Sequence, residues 1–199
     1  MRNTKELAEM GFFPNLVRFE PKLEEPFNDD DFLNDAFDDY QEQWRIFLME
    51  KISPKYLMTL TFYTAEISTV ISPKRARQIL GRLFFSINTK LFSKRSEFHR
   101  ARREHKIVKF AAIPEVADIE VMENLHYHLL INTSVVPDDR EFFRILDKSV
   151  KTIQRKFPPL QLCTNFQPIT NQHRAISYCC KKVTKRSFTA ENIILFNEV

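Results

Sequence analysis

The chain of 199 residues has few of the residues that mark several common protein classes. It contains only two glycines but nineteen phenylalanines, a composition that argues against a low-complexity or disordered chain. Its three cysteines, Cys163, Cys179 and Cys180, are odd in number and lack CxxC spacing, which excludes a disulfide framework and a zinc knuckle. The Walker A pattern GxxxxGK[ST] is absent, so any helicase would have to be a separate protein.

Long apolar runs are also absent from the sequence. No segment approaches the roughly 18 consecutive apolar residues that a membrane-spanning helix requires. Residues 1–13 contain no apolar signal core followed by a small-residue cleavage site. The hydrophobic share of 43% is nevertheless ample for a real core. We therefore expect a cytoplasmic protein without a membrane partner.

Charge is distributed unevenly along the sequence. Residues 1–50 contain 5 Lys and Arg against 13 Asp and Glu, a net charge of −8, whereas residues 51–199 contain 25 against 13, a net charge of +12. Such a basic segment favours a polyanionic partner. We interpret residues 1–51 as an acidic extension with one amphipathic helix from about Asp30 to Lys51, and residues 52–199 as the main domain. The helix either packs on this domain or covers a basic groove in it.

The periodicity of the main domain predicts seven elements. They are a strand over Tyr56–Tyr63, a helix that begins at Ser72-Pro73, strands over Ile107–Glu115 and Leu125–Asn132, a helix between Pro137 and Pro158, a strand over Leu160–Ile169, and a helix over Arg174–Arg186. The basic run Lys94–Lys106 predicts an exposed helix end and loop. The order of the elements indicates an α+β domain of the ferredoxin-like split βαβ type, with helices packed on a four-stranded antiparallel sheet.

Two histidines share one face of the third predicted strand. Residues two apart in a strand project to the same side, so His126 and His128 lie together while their neighbours face the core. Two imidazoles on a rigid strand supply two ligands of a divalent-metal site. Glu115, Glu120 and Glu123 are candidates for the third ligand. Geometry favours Glu115, because an antiparallel hairpin would place it opposite His126.

A tyrosine and several lysines share one side of the last predicted helix. Positions i, i+3, i+4 and i+7 align on a helix, which places Tyr178, Lys181, Lys182 and Lys185 opposite the apolar side. Ammonium groups beside a tyrosine favour its ionised, nucleophilic form and suit a phosphodiester. The same pattern also fits an amphipathic helix with a solvated basic face.

In order and spacing these segments resemble the three motifs of the HUH endonucleases, which include the rolling-circle replication initiators of plasmids and single-stranded DNA phages. The first motif is the strand YLMTLTF at Tyr56–Phe62, and the second is histidine–hydrophobic–histidine within Leu125–Ile131. The third is a helix with Tyr178 followed by Lys181 or Lys182, that is, YxxK or YxxxK. The resemblance covers about two-thirds of the chain. Position 182 holds lysine, so the chain resembles the enzymes that use a single tyrosine.

The resemblance implies the HUH endonuclease fold and an initiator that nicks single-stranded DNA at an origin. His126, His128 and Glu115 would bind Mg²⁺ or Mn²⁺. Tyr178 would attack the scissile phosphate to give a 5′-phosphotyrosine and a free 3′-hydroxyl. Lys181, or Lys182 in its place, would stabilise the phenolate or the phosphate. The implied partners are the origin strand or its hairpin, a host helicase and a DNA polymerase.

Further assignments accompany this resemblance. Thr59 and Thr61 share a strand face that would border the site. Four basic residues would contact backbone phosphates: Arg75, Arg77, Lys185 and Arg186. A transposase or a mobilisation relaxase would use the same chemistry. Outside the family, the sequence also fits a non-catalytic nucleic-acid-binding module, or a metallo-hydrolase with water as its nucleophile, for which Tyr178 would be dispensable.

Overall fold

A computed structural model describes residues 39–64, 71–92, 94–115, 125–157, 160–184 and 188–196. Within these ranges six helices and five strands follow one another along the chain. They are α1 (Asp39–Lys51), β1 (Tyr56–Thr64), α2 (Pro73–Leu91), α3 (Arg95–Arg103), β2 (Lys109–Glu115), β3 (His126–Asn132), α4 (Asp139–Lys156), β4 (Leu160–Pro168), α5 (Gln172–Cys180), α6 (Phe188–Asn192) and β5 (Ile194–Phe196). None of the described helices combines the length and the apolar character that a membrane span needs.

The five strands form one antiparallel sheet in the order β4-β1-β3-β2-β5. The chain is therefore of the α+β class, as the periodicity predicts. The predicted number of four strands was too low, because β5 pairs with the outer side of β2. A strand of three residues is too short for its alternation of apolar and polar side chains to be recognised.

Alternation along the strands divides the core into two clusters on opposite faces of the sheet. The larger cluster contains Tyr56, Met58 and Leu60 of β1 together with apolar residues of α2, α3 and α4. The smaller cluster contains Leu57 of β1 and Ile113 of β2, together with residues of α1 and α5. Helices thus cover both faces, and each face has its own apolar contacts.

The described end of the acidic N-terminal segment packs on the smaller cluster. Leu48 of α1 and Ile52, just after it, are completely buried there. The side-chain amide of Gln41 donates a hydrogen bond of 3.3 Å to the carbonyl oxygen of Lys181, immediately after α5. Of the helix predicted from Asp30, residues 39–51 are helical and the earlier ones lie outside the described residues. The division of the chain at residue 51 stays a prediction.

The basic run from Lys94 to Lys106 differs from its prediction. It contains the helix α3 rather than only a helix end and a loop. Phe98 and Ala101 lie three residues apart and are both buried in the larger cluster. This short apolar pair anchors a helix whose other side chains are mostly basic, so composition alone concealed it.

The helix predicted over Arg174–Arg186 is shorter in the structure. α5 begins after Asn171, whose side chain accepts a 3.0 Å hydrogen bond from the Arg174 amide, and ends at Cys180. The backbone then tightens, because the amide of Val183 donates to the carbonyl of Cys180 at 2.9 Å. Val183 and the next residue are β-branched, which disfavours continuation of a helix. Lys181 and Lys182 therefore lie in a turn after the helix rather than on it.

A buried asparagine joins α2 to the start of β2. The side chain of Asn88 is inaccessible to solvent, and its amide donates to the carbonyls of Phe84 and Val108 at 3.2 Å. Its carbonyl oxygen accepts a 2.9 Å hydrogen bond from the amide of Val108. The side chain thus satisfies both backbone polar groups of Val108 within an apolar cluster.

We expect Asn88→Ala to lower the free energy of unfolding by about 2–3 kcal/mol, because it leaves both polar groups of Val108 buried without a partner. The measurement is urea denaturation followed by circular dichroism. Thr89→Ala, at the adjacent and more exposed position, is the control and should cost less than about 1 kcal/mol. Equal losses in the two variants would contradict the role assigned to Asn88.

Candidate active site

Glu115, His126 and His128 converge on the face of the sheet that carries the smaller cluster. β2 and β3 pair in a register that sets Glu115 directly opposite His126. The Glu115 Oε2 atom lies 3.1 Å from His126 Nε2 and 2.6 Å from His128 Nε2. The structure thus brings together the two histidines and the carboxylate that the hairpin register favours. Glu120 and Glu123 lie outside the described residues.

The three side chains suit a metal ion in both chemistry and spacing. One ligand atom from each lies within 4.8 Å of the other two. Ligand atoms about 2.1 Å from an octahedral ion and at right angles to one another lie about 3 Å apart. Two imidazole nitrogens and a carboxylate oxygen are a donor set that transition-series divalent ions accept. Glu115, His126 and His128 therefore form a possible site for a divalent metal, and we call them the metal triad.

The environment of His128 keeps its imidazole available as a ligand. Burial lowers the pKa of His128, and this effect exceeds the opposing attraction of the Glu115 carboxylate. A neutral imidazole has the lone pair that a metal needs. The hydroxyl oxygen of Thr59 lies 3.1 Å from His128 Nδ1, a contact that orients the ring. Thr61 is the β1 residue paired with His126, so both predicted threonines lie in the strand beside the triad.

Tyr178 of α5 lies next to the metal triad. Its ring centroid is 5.2 Å from that of His128, and the two planes meet at 65°. The Nζ atom of Lys181 lies 4.2 Å from the centroid of the same tyrosine ring. Tyr178 is half-buried, so a substrate can reach this part of the molecule. The tyrosine and the lysine predicted to act together are adjacent, although the helix ends between them.

The carboxylate of Glu115 connects the histidines to the lysines. Its Oε2 atom faces the imidazoles, whereas Oε1 lies 2.9 Å from Lys181 Nζ and 3.5 Å from Lys182 Nζ. Burial acts to raise the pKa of Glu115, but hydrogen bonds from His126, His128 and Lys181 together outweigh it and hold that pKa well below its usual range. Glu115 therefore carries a full negative charge.

The same contacts decide the charge of Lys181. Burial acts to lower its pKa, but the hydrogen bond to Glu115 and the attraction of that carboxylate raise the pKa above its ordinary value. Lys181 is consequently a fixed ammonium group beside the Tyr178 ring. Its position suits the stabilisation of negative charge rather than the acceptance of a proton.

Other predicted residues lie elsewhere. Arg75 and Arg77 are on α2, which packs on the opposite face of the sheet from the metal triad. Lys185 and Arg186 lie outside the described residues. Gln41 donates a hydrogen bond to the carbonyl oxygen of Lys181. Sequence patterns could not predict this contact, because the two residues are 140 positions apart.

Two of the three cysteines are the last residues of α5. Cys179 and Cys180 are free and buried in the smaller cluster. Burial is the main cause that raises the pKa of Cys180 to about 12, so its sulfur is a neutral thiol. These thiols contribute packing beneath α5 rather than metal ligands.

Comparison with protein-family models, with curated proteins and with solved structures finds no match for this chain.

We expect Glu115→Gln to weaken Mn²⁺ binding at least about tenfold, because it removes the only carboxylate of the triad. The double variant His126→Ala, His128→Ala should bind no Mn²⁺ in the same range. Isothermal titration calorimetry measures both, and circular dichroism checks that the fold is kept. Glu104→Gln, an exposed carboxylate away from the triad, is the control. Equal affinities of the Glu115 and Glu104 variants would remove Glu115 from the site.

We expect Lys181→Met to strengthen Mn²⁺ binding by roughly two- to tenfold, because an ammonium group no longer competes for the Glu115 carboxylate. Lys182→Met should have a smaller effect in the same direction, since its Nζ atom lies farther from Oε1. Lys55→Met, at an exposed position, is the charge-matched control. Weaker binding by the Lys181 variant would show that this ammonium supports the triad instead of competing with it.

Proposed function

We propose that this chain is a metal-dependent endonuclease of the HUH type, which nicks single-stranded DNA at an origin and initiates rolling-circle replication. The observation that carries the proposal is the juxtaposition of Tyr178 with the metal triad. A nucleophile, a site for a divalent cation and a fixed ammonium group lie within one small region. These are the parts that a phosphoryl transfer to tyrosine requires.

The arrangement of the strands supports the same proposal. The order β4-β1-β3-β2, with α2 between β1 and β2 and α4 between β3 and β4, suits the ferredoxin-like split βαβ fold and, through it, the HUH endonuclease fold. The two strands that resemble the first two motifs are direct neighbours. The helix that resembles the third motif packs on the face to which the two histidines point.

In this mechanism the metal triad would hold Mg²⁺ or Mn²⁺. When bound, the ion supplies Lewis-acid polarisation of the scissile phosphate and offsets its negative charge. Thr59 keeps the His128 ring in the orientation that presents Nε2 to the site. The ionised Glu115 keeps Lys181 close to the Tyr178 ring.

The covalent step is an exchange of one phosphorus–oxygen bond for another. The Oη atom of Tyr178 forms a bond to phosphorus, and the bond from phosphorus to the 3′ oxygen of the preceding nucleotide breaks. The phenol gives up one proton, and the departing 3′ oxygen gains one. Lys181, which stays protonated, stabilises the negative charge on the phenolate and the phosphate. The products are a 5′-phosphotyrosine and a 3′-hydroxyl that a host DNA polymerase can extend after a helicase separates the strands.

The test is the formation of a denaturant-resistant adduct between the protein and the origin strand in the presence of Mn²⁺. We expect Tyr178→Phe to bind the strand but to form no adduct and make no nick, because only the attacking oxygen is removed. Mass spectrometry of the digested wild-type adduct should place the nucleotide on the peptide that contains Tyr178.

Tyr127→Phe is the matched control. Tyr127 lies between the two histidines in sequence but is buried on the other face of the sheet, and its hydroxyl has no hydrogen-bond partner among the described residues. This variant should keep at least about half of the wild-type nicking rate. Nicking by Tyr178→Phe would indicate a metallo-hydrolase with water as nucleophile. Binding without cleavage by the wild-type protein would indicate a non-catalytic nucleic-acid-binding module.

A transposase or a mobilisation relaxase would use the same residues and the same covalent step. Extension from the 3′-hydroxyl is what separates initiation from these alternatives. The nicked origin plasmid, supplied with helicase and polymerase, should yield displaced single strands of unit length.

A further inference from the structure

The two helical layers of the molecule differ greatly in charge. α2, α3 and α4, on the face of the larger cluster, contain 15 Lys and Arg but only four Asp and Glu. α1 and α5, on the face of the metal triad, contain three of each. Among the described helices, the positive excess therefore lies on the side of the sheet away from the candidate active site. We call the layer formed by α2, α3 and α4 the basic face.

Six cations gather where α2 and the C-terminal part of α4 meet on the basic face. They are Arg75, Arg82, Lys90, Lys148, Arg155 and Lys156, and all six are exposed. None of them forms an ion pair with a carboxylate in the described parts of the chain. The pKa of Lys90 is lowered, first by burial and then by the positive charges of Lys156, Arg155 and Lys148. Lys148, Arg155 and Lys156 are thus close enough to Lys90 to repel its ammonium group.

Specific contacts hold this repulsive arrangement in place. The guanidinium groups of Arg75 and Arg82 both lie on the ring of Phe157, at 4.6 and 5.1 Å from its centroid. The ammonium of Lys90 donates a hydrogen bond of 2.5 Å to the hydroxyl of Ser86. Fixed cations without carboxylate partners are the arrangement that a polyanion stabilises, since its phosphates relieve the repulsion.

The shape of the cluster favours a duplex over a single strand. Proteins that bind single strands stack the bases on open aromatic rings. Phe157 is buried and its ring is covered by the two guanidinium groups, so it offers no such platform. Phe85 of α2 is exposed but lies edge-on to Phe98, and a single open ring does not provide the series of platforms on which successive bases stack. A helix of 19 residues is about 28 Å long, which matches about eight base pairs of duplex at 3.4 Å each. A duplex presents its phosphates along that length without exposing its bases.

We propose that the basic face is a second nucleic-acid site, which binds the phosphate backbone of double-stranded DNA on the opposite side of the sheet from the metal triad. It would let the protein hold the duplex that flanks an origin while a single strand occupies the candidate active site. Recognition is of charge and backbone rather than of base sequence. The site does not depend on the nicking reaction, so the two can be tested separately.

The experiment measures the affinity of the full chain for a blunt 20-base-pair duplex by fluorescence anisotropy, in EDTA and over a series of salt concentrations. The test variant is Lys148→Gln, Arg155→Gln, Lys156→Gln. The control variant is Lys51→Gln, Lys55→Gln, Lys109→Gln, which removes the same charge outside α2, α3 and α4. Each lost phosphate contact should lower the slope of log K against log salt by about one. In the test variant the slope of log K against log salt should therefore fall by about three, and the affinity at 100 mM salt should fall at least about tenfold. In the control variant the slope should fall by less than one.

Equal losses in the two variants would overturn the proposal, because net charge rather than the basic face would then determine affinity. Absence of duplex binding by the wild type would also overturn it, and strong binding to phosphatidylserine vesicles in that case would identify a membrane surface instead.

Thermal denaturation checks folding, and if the triple variant is unfolded, the three single variants should each lower the slope by about one. Nicking of a short single-stranded oligonucleotide should be unchanged in the test variant. A wild-type protein that binds the duplex but never nicks would refute the proposed nuclease while leaving the basic face supported.

Discussion

The negative charge of Glu115 is the interaction on which the candidate active site depends. One oxygen of this carboxylate faces two imidazoles and the other faces two ammonium groups. It therefore neutralises charge that would otherwise repel a metal ion, and it holds the turn after α5 close to β2 and β3. Its half-buried position strengthens these contacts, because fewer water molecules screen them.

The candidate active site depends on a difference between the two faces of the sheet. Residues 56, 58 and 60 of β1 enter the larger cluster, whereas Leu57 and Thr59 face the smaller one. A shift of one residue in the pairing of β3 would move both histidines into the larger cluster. The apolar partners of Tyr127 and Leu129 therefore fix the position of the imidazoles as firmly as any contact of the imidazoles themselves.

The parts of this arrangement that sequence could predict are those that depend on local periodicity. The alternation in β1 and β3 indicated which side of each strand is buried, and the hairpin register placed Glu115 opposite His126. The helix predicted to begin at Ser72-Pro73 does begin there, and the Ser72 side chain caps it by accepting a hydrogen bond from the backbone amide of Arg75. Each of these features can be predicted from a few residues that are close together in the sequence.

What sequence could not predict depends on contacts between distant segments. β5 is too short to show a pattern, and α3 depends on two apolar residues within a basic run. The contact of Lys181 and Lys182 with Glu115 crosses from α5 to β2, so spacing along α5 could not indicate it. The location of the basic residues is a further example. The sequence gives their number, but only the fold shows that α2, α3 and α4 place them on one face of the sheet.

The hydrogen bond from Gln41 to the carbonyl of Lys181 has a consequence for synthesis of the protein on the ribosome. The helix that supports the turn after α5 is translated about 140 residues before that turn. While β1, β2 and β3 emerge, the side of α1 that later packs against α5 has no partner to cover it. The metal triad is complete in the nascent chain well before Tyr178 leaves the exit tunnel. The possible metal site can thus form before the Tyr178 side chain is present beside it.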